Sequence, residues 1–231
     1  MTKARTTDPA RRLRKIHDRL VKAYGAQNWW PAQTPFEVIL GAYLTQNTSW
    51  RAVEISLSNL RNADALSMEG IRRLSMDQLQ TLIRPSGFYT RKGSALKAFI
   101  AMLDSDFEGS LDLLAAAPTP LVRRKLLRLP GVGPETADAI LLYALGHALP
   151  VADEYLRRIA DRHHLIVPAL EKNRAGYESL VQLTRAAFSF DPPSAQAALF
   201  NEFHALTVAV GKAHCRRTPD CRCCPLRNDL K

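Results

Sequence analysis

Four cysteines, Cys215, Cys221, Cys223 and Cys224, fall within ten residues of one another, and the 231-residue chain has no others. Thiols this crowded, with no distant partner, argue against a disulfide framework and for ligation of a thiophilic metal in a reducing compartment. Either an iron–sulfur cluster or tetrahedral zinc would suit them, and three cysteines so close in sequence leave room for an incomplete site. A second group is the connector Pro130-Gly131-Val132-Gly133 behind Leu129. Glycines there permit positive φ and let an outside group approach without meeting a Cβ. The amides that open the next helix lack intrahelical acceptors, and the helix dipole adds positive charge, so the turn is a candidate anion site. A tight helix–helix turn without a ligand would have the same sequence. The basic flanks favour the anion: Arg123, Arg124, Lys125 and Arg128 precede the turn, and Arg157, Arg158 and Arg162 follow it.

The elements that must position these residues are helices. Trp50, Val53, Leu57 and Leu60 recur at helical spacing, as do Leu96, Phe99, Ile100 and Leu103 behind Ser94, which the pattern makes an N-cap. Phe36 to Leu44 is apolar nearly all round and should be buried. Leu13, Ile16, Leu20, Val21 and Tyr24 form one stripe of an N-terminal helix. Period-two runs of β-branched residues are absent, so the class is all-α. Breakers divide the chain at Pro35, Pro85-Ser86-Gly87, Glu108-Gly109, Pro118-Thr119-Pro120, Pro130-Gly131 and Pro192-Pro193. Thr119 before Pro120 has the form of an N-cap with proline at the first helical position, starting a helix to Arg128. The next helix should run from Pro134 to Gly146.

With 32 Lys and Arg against 22 Asp and Glu, the formal charge is +10. That surplus suits a nucleic acid, an anionic membrane surface or simply a solvated face. The longest central uncharged run, residues 139–152, is interrupted by His147 and Pro150 and is too short to span a bilayer. The basic N-terminus has no apolar signal core, so neither membrane insertion nor secretion is expected.

Longer strings then carry a resemblance. Leu129-Pro-Gly-Val-Gly through Ala152-Asp153-Glu-Tyr155 resembles the helix-hairpin-helix DNA glycosylases of the endonuclease III superfamily, which place an aspartate about twenty residues after the last hairpin glycine; Asp153 stands twenty after Gly133. Leu44-Thr45-Gln46-Asn47-Thr48 resembles that family's upstream glutamine element. Asn28-Trp29-Trp30-Pro31, Leu40 to Thr48, Arg84-Pro-Ser-Gly-Phe-Tyr89, Glu135 to Ile140 and Phe203-His204 are most similar to the endonuclease III-related 3-methyladenine glycosylases.

The resemblance implies two helical lobes: residues 34–143 with the hairpin, and residues 1–33 with 144–231, ending in a cysteine-rich cluster loop. Damaged double-stranded DNA would lie in the cleft of a monomer acting in the bacterial cytoplasm or nucleoid. It implies base excision from alkylated purines such as 3-methyladenine, with Asp153 catalytic. Asp153 also stands where it would cap the helix from Glu154 to His163. Trp29, Trp30, Trp50 and Glu135 would form the base pocket, with core packing as the alternative for each tryptophan. Gln46, Gly131, Val132, Gly133 and Lys212 would contact DNA. Bifunctional members carry a lysine two residues after the hairpin; Glu135 stands there, which implies a hydrolase without lyase activity. Cys215, Cys221, Cys223 and Cys224 would hold a [4Fe–4S] cluster, although the family's fourth cysteine is missing near the C-terminus, and His214 is a substitute ligand. Glycosylases for oxidised or mismatched bases, and a non-catalytic DNA-binding hairpin protein, are the alternatives.

Overall fold

The computed structural model describes residues 8–166 and 173–230, so the first seven residues of the basic N-terminus lie outside the described residues. Among the described residues twelve α-helices follow in order: α1 (Pro9–Tyr24), α2 (Pro35–Leu44), α3 (Trp50–Asn62), α4 (Met68–Arg73), α5 (Met76–Ile83), α6 (Tyr89–Phe107), α7 (Leu111–Ala116), α8 (Thr119–Leu126), α9 (Pro134–Ala139), α10 (Glu154–Arg162), α11 (Arg174–Ala187) and α12 (Pro193–Ala213). No strand occurs among the described residues. The chain divides into two compact units, Trp30–His147 and Met1–Trp29 with Ala148–Lys231, where the sequence placed the boundaries at Thr34 and Tyr143.

The first unit is built around α2, on which α3, α6, α9 and a π-helical turn, Ile140–Ala144, pack. Every residue from Phe36 to Leu44 is buried, as the apolar run requires. The one acid in it, Glu37, accepts from Arg61 at 2.9 Å and from the Gln33 amide at 3.0 Å, which offsets its desolvation. Truncating a fully buried leucine of this helix, such as Leu40, costs about 2–5 kcal/mol by the usual transfer and cavity terms.

Two expected caps are displaced. Helix α6 starts at Tyr89, not behind Ser94; it is entered through Phe88 in the left-handed region, and Ser94 Oγ instead donates to the Thr90 carbonyl at 3.0 Å. The helical register reaches back past Ser94 because Lys92 and Gly93 are also buried. Thr119 is already inside α8; its hydroxyl lies 2.7 Å from His147 Nδ1, and the helix stops at Leu126 rather than Arg128. The helix after the turn is α-helical only to Ala139 and continues as the π turn before Gly146, whose φ of 72° closes it.

In the second unit α1 packs on α11 and α12, and α10 packs on the same two helices. Leu13, Ile16 and Leu20 are buried, whereas Val21, expected in the stripe, is exposed.

Candidate nucleic-acid interface and active site

The hairpin is held from beneath. Asp138 on α9 is wholly buried and takes two bonds from Arg123 on α8, at 2.7 and 3.0 Å, a bidentate pair that fixes the two helices against each other. Val132 is buried and anchors the turn, while Gly131 and Gly133 are exposed. Gly131 has φ of +74°, as expected, but Gly133 is extended at −92°, so any residue could adopt its backbone. A Cβ at either glycine would meet no atom of the protein. Gly133 therefore keeps its surface open to an outside group without needing an unusual conformation. Gln46, from the loop after α2, donates through Nε2 to the Gly131 carbonyl at 3.1 Å and to Thr136 Oγ1 at 3.0 Å, so it braces the hairpin.

An open cavity of about 220 Å³ beside Gln46 is lined also by Asn47, Phe88, Arg91, Lys92, Ala95 and Gly131. Asn47 and Phe88 both have positive φ, and Phe88 is 61% exposed. Left-handed φ is uncommon for an aromatic residue, and here it turns the Phe88 ring toward solvent beside the cavity. Sequence reading named Phe88 only within the Arg84–Tyr89 string and gave it no role at the site.

Of the expected base pocket, Trp30 and Trp50 meet edge-to-face at 5.6 Å, and Tyr143 joins them 5.3 Å from Trp30. All three are half-buried. Trp30 lies on Gly41, where a Cβ would come within 3.1 Å of the indole nitrogen. Trp50 Nε1 donates to Glu54 at 3.0 Å, which fixes its ring. Tyr143 was not foreseen. Glu135 is exposed in the first turn of α9, and Trp29 belongs to the other unit.

In the second unit Asp153 caps α10: its Oδ1 accepts from the Leu156 amide at 2.8 Å. Its Oδ2 lies 3.6 Å from His204 Nε2 on α12, and the residue is 7% exposed. One oxygen is thus fixed by the cap, and the other lies beside His204. Tyr155 packs against Gly211 so closely that a Cβ there would sit 2.2 Å from the ring, which sets α10 directly against α12. Lys212 Nζ lies 5.6 Å from the centre of the Trp29 ring.

The basic flanks are largely spent within the protein. Arg123 serves Asp138, Lys125 pairs with Asp106 at 2.6 Å, and Arg157 pairs with Glu154 at 2.7 Å. Arg158 donates to the Cys215 carbonyl at 2.9 Å, and Arg162 to Cys215 Sγ at 2.9 Å. Arg124 and Arg128 are exposed. Proximity in sequence could not distinguish cations facing solvent from cations answering a carboxylate.

Cys215, Cys221 and Cys224 line one narrow cavity with His163 and His214, while Cys223 is exposed and is not among its walls. Burial and the neighbouring Cys221 and Cys215 push the Cys224 thiol above its ordinary value. Hydrogen bonds reach the sulfurs from Arg162 and, at 3.4 Å to Cys224, from the Leu226 amide. The buried Tyr24 hydroxyl, which feels Cys224, makes no hydrogen bond. Three of the four expected thiols thus share one cavity. Among the described residues no three Cys, His, Asp or Glu side chains are grouped as a single metal ion requires. His163 Nδ1 lies 3.0 Å from Asp229 Oδ2, and burial lowers its pKa.

Residues 40–182 match the family described as the HhH-GPD superfamily of base excision DNA repair proteins, and the chain belongs to that superfamily. A protein of Methanocaldococcus jannaschii, named provisionally as a DNA repair glycosylase, is 38% identical over 92% of this chain and 93% of its own length. The crystal structure of H. pylori 3-methyladenine DNA glycosylase bound to 1,N6-ethenoadenine superposes with a TM-score of 0.73 at 29% identity, covering 90% of this chain and 98% of that one. A non-covalent endonuclease III–DNA complex shares the fold at a TM-score of 0.74 and 20% identity over 96% and 95%. No helix among the described residues is long and apolar enough to cross a membrane.

Proposed function

We propose that the protein is a monofunctional glycosylase that hydrolyses the N-glycosidic bond of alkylated purines such as 3-methyladenine in double-stranded DNA. The observation that carries this is Asp153, a nearly buried carboxylate held through Oδ1 by the Leu156 amide, with Oδ2 beside His204. Breaking the bond develops positive charge on the deoxyribose; a fixed carboxylate stabilises it and orients the water whose oxygen bonds to C1′ as the base leaves with the bonding electrons. A 3-alkylated purine is cationic and needs little acid assistance to depart. Aromatic faces attract such a base at about 0.5–2 kcal/mol each, and Trp30, Trp50 and Tyr143 supply them. The likeness to the H. pylori enzyme supports the alkylated substrate.

Glu135 cannot form a Schiff base, so the abasic strand is left uncut. DNA is held by Gln46, the open glycines of the hairpin with Val132 beneath them, Phe88 and Lys212. Cys215, Cys221 and Cys224, which line one cavity, would hold a [4Fe–4S] cluster, with His214 in place of the exposed Cys223. A cluster would bind the C-terminal segment to α10 and α12.

Incubation with methylated duplex DNA and chromatography of the released bases tests the reading. The wild type should release 3-methyladenine, and Asp153→Asn should not. Release only from oxidised or mismatched duplexes would overturn the substrate, and a borohydride-trapped adduct would overturn the monofunctional assignment. Anaerobically purified protein should be brown and contain iron; colourless protein containing zinc would exclude the cluster.

A further inference from the structure

Lys92 is 4% exposed on α6, and its Nζ donates to the Leu44 carbonyl at 2.9 Å and to the Ser86 carbonyl at 2.7 Å. Each acceptor ends a helical segment: Leu44 is the last residue of α2, and Ser86 the last of the short 3-10 turn Arg84–Ser86. Carbonyls at such ends lack intrahelical donors and carry the negative end of the helix dipole, so a buried amine is well matched to them. The two segments lead directly into the two loops that frame the open cavity. One continues through Thr45 to Gln46 and Asn47, the other through Gly87 to Phe88. Asn47 and Phe88 are both at positive φ, which Asn adopts readily but an aromatic residue keeps only where its surroundings enforce it.

We propose that Lys92 is a positioning residue that staples these two loops, setting the separation of Gln46 and Phe88 so that both can engage DNA together. It acts through the loops without touching the nucleic acid. The proposal rests on the DNA-binding reading of this face. On this reading the Lys92 amine serves the two carbonyls and is not a nucleophile.

Lys92→Met removes both bonds, and Lys92→Gln keeps a donor that can serve one carbonyl. Affinity for a lesion-containing duplex should fall about tenfold or more for Lys92→Met and less for Lys92→Gln. Should Lys92→Met fail to fold, Lys92→Gln carries the measurement, with circular dichroism confirming its helices. The discriminating readout is a double-mutant cycle. If Lys92 acts through the loops, its replacement should cost little further affinity once Gln46 and Phe88 are both alanine. Full additivity would overturn the proposal, because a residue acting only on global stability, or on DNA directly, loses the same factor in either background. Wild-type affinity in a folded Lys92 variant would overturn it, as would a borohydride-trapped adduct mapped to Lys92. Absence of base release by the wild type would count against the glycosylase reading alone, since the cycle reads binding and needs no turnover.

Discussion

Asp153 carries two tasks on one carboxylate, and they can be separated. Asparagine caps a helix about as well as aspartate does, but it carries no charge to set against a developing cation. Asp153→Asn should therefore melt with the wild type while its turnover falls by about 10²–10³-fold, as loss of a preorganised electrostatic group does. Asp153→Ala loses the Leu156 bond as well and should unfold about 1 kcal/mol more easily. Thermal melts beside single-turnover base release distinguish the pair; equal stability would mean that the cap contributes nothing. Lys92 gives a residue-scale signature in pH. Burial lowers its pKa from 10.5 to about 8, so between those values the unfolded chain binds the proton more readily than the folded one. Its penalty is present in full below pH 8 and is relieved as pH rises toward 10.5. Unfolding free energies from denaturant titrations should thus rise over pH 8–10 relative to Lys92→Met, by at most roughly 3 kcal/mol, with the two carbonyl bonds opposing the shift.

At the scale of elements, the hairpin glycines have different jobs. Gly131→Ala forces a Cβ onto a left-handed residue and should destabilise by about 1–2 kcal/mol. Gly133→Ala meets neither strain nor a neighbouring atom, so its melting temperature should match the wild type. Its DNA affinity should nevertheless drop, because the new methyl stands where a phosphate would approach; undiminished affinity would remove the phosphate role from Gly133. Gly211 is the converse, a glycine required by packing. Gly211→Ala drives a methyl into the Tyr155 ring, two residues from Asp153, and should cost about 1–3 kcal/mol of stability together with turnover. Gly211→Ala with wild-type turnover would show that the α10–α12 contact does not govern Asp153.

Over the whole molecule the net charge of +10 already subtracts every acid, so internal pairing does not lower it; pairing decides instead which cations can touch DNA. Arg123, Lys125, Arg157, Arg158 and Arg162 all have protein partners; of the hairpin flanks and the end of α12, Arg124, Arg128 and Lys212 are exposed. Binding measured against salt should lose about 0.9 from its log–log slope for each of these three changed to alanine. Arg158→Met should alter stability and leave the slope unchanged; a reduced slope there would show that Arg158 faces phosphate after all.

The helical class, the breakers, the buried run of α2, the hairpin, and Asp153 at its spacing and capping position were all legible in the chain, because helical period, proline and glycine act over a few residues. What lay beyond local pattern is which polar groups answer one another across the fold. Arg123 is equally basic whether it faces a phosphate or Asp138. Lys92 stands in register with Leu96 and Phe99 on the apolar side of α6, a placement that signals a buried amine but not its two carbonyls. Cys223 is indistinguishable from its neighbours until burial separates the three that line a cavity from the one that faces water. Burial and pairing of charge depend on distances between residues far apart in sequence, and only tertiary packing sets those distances.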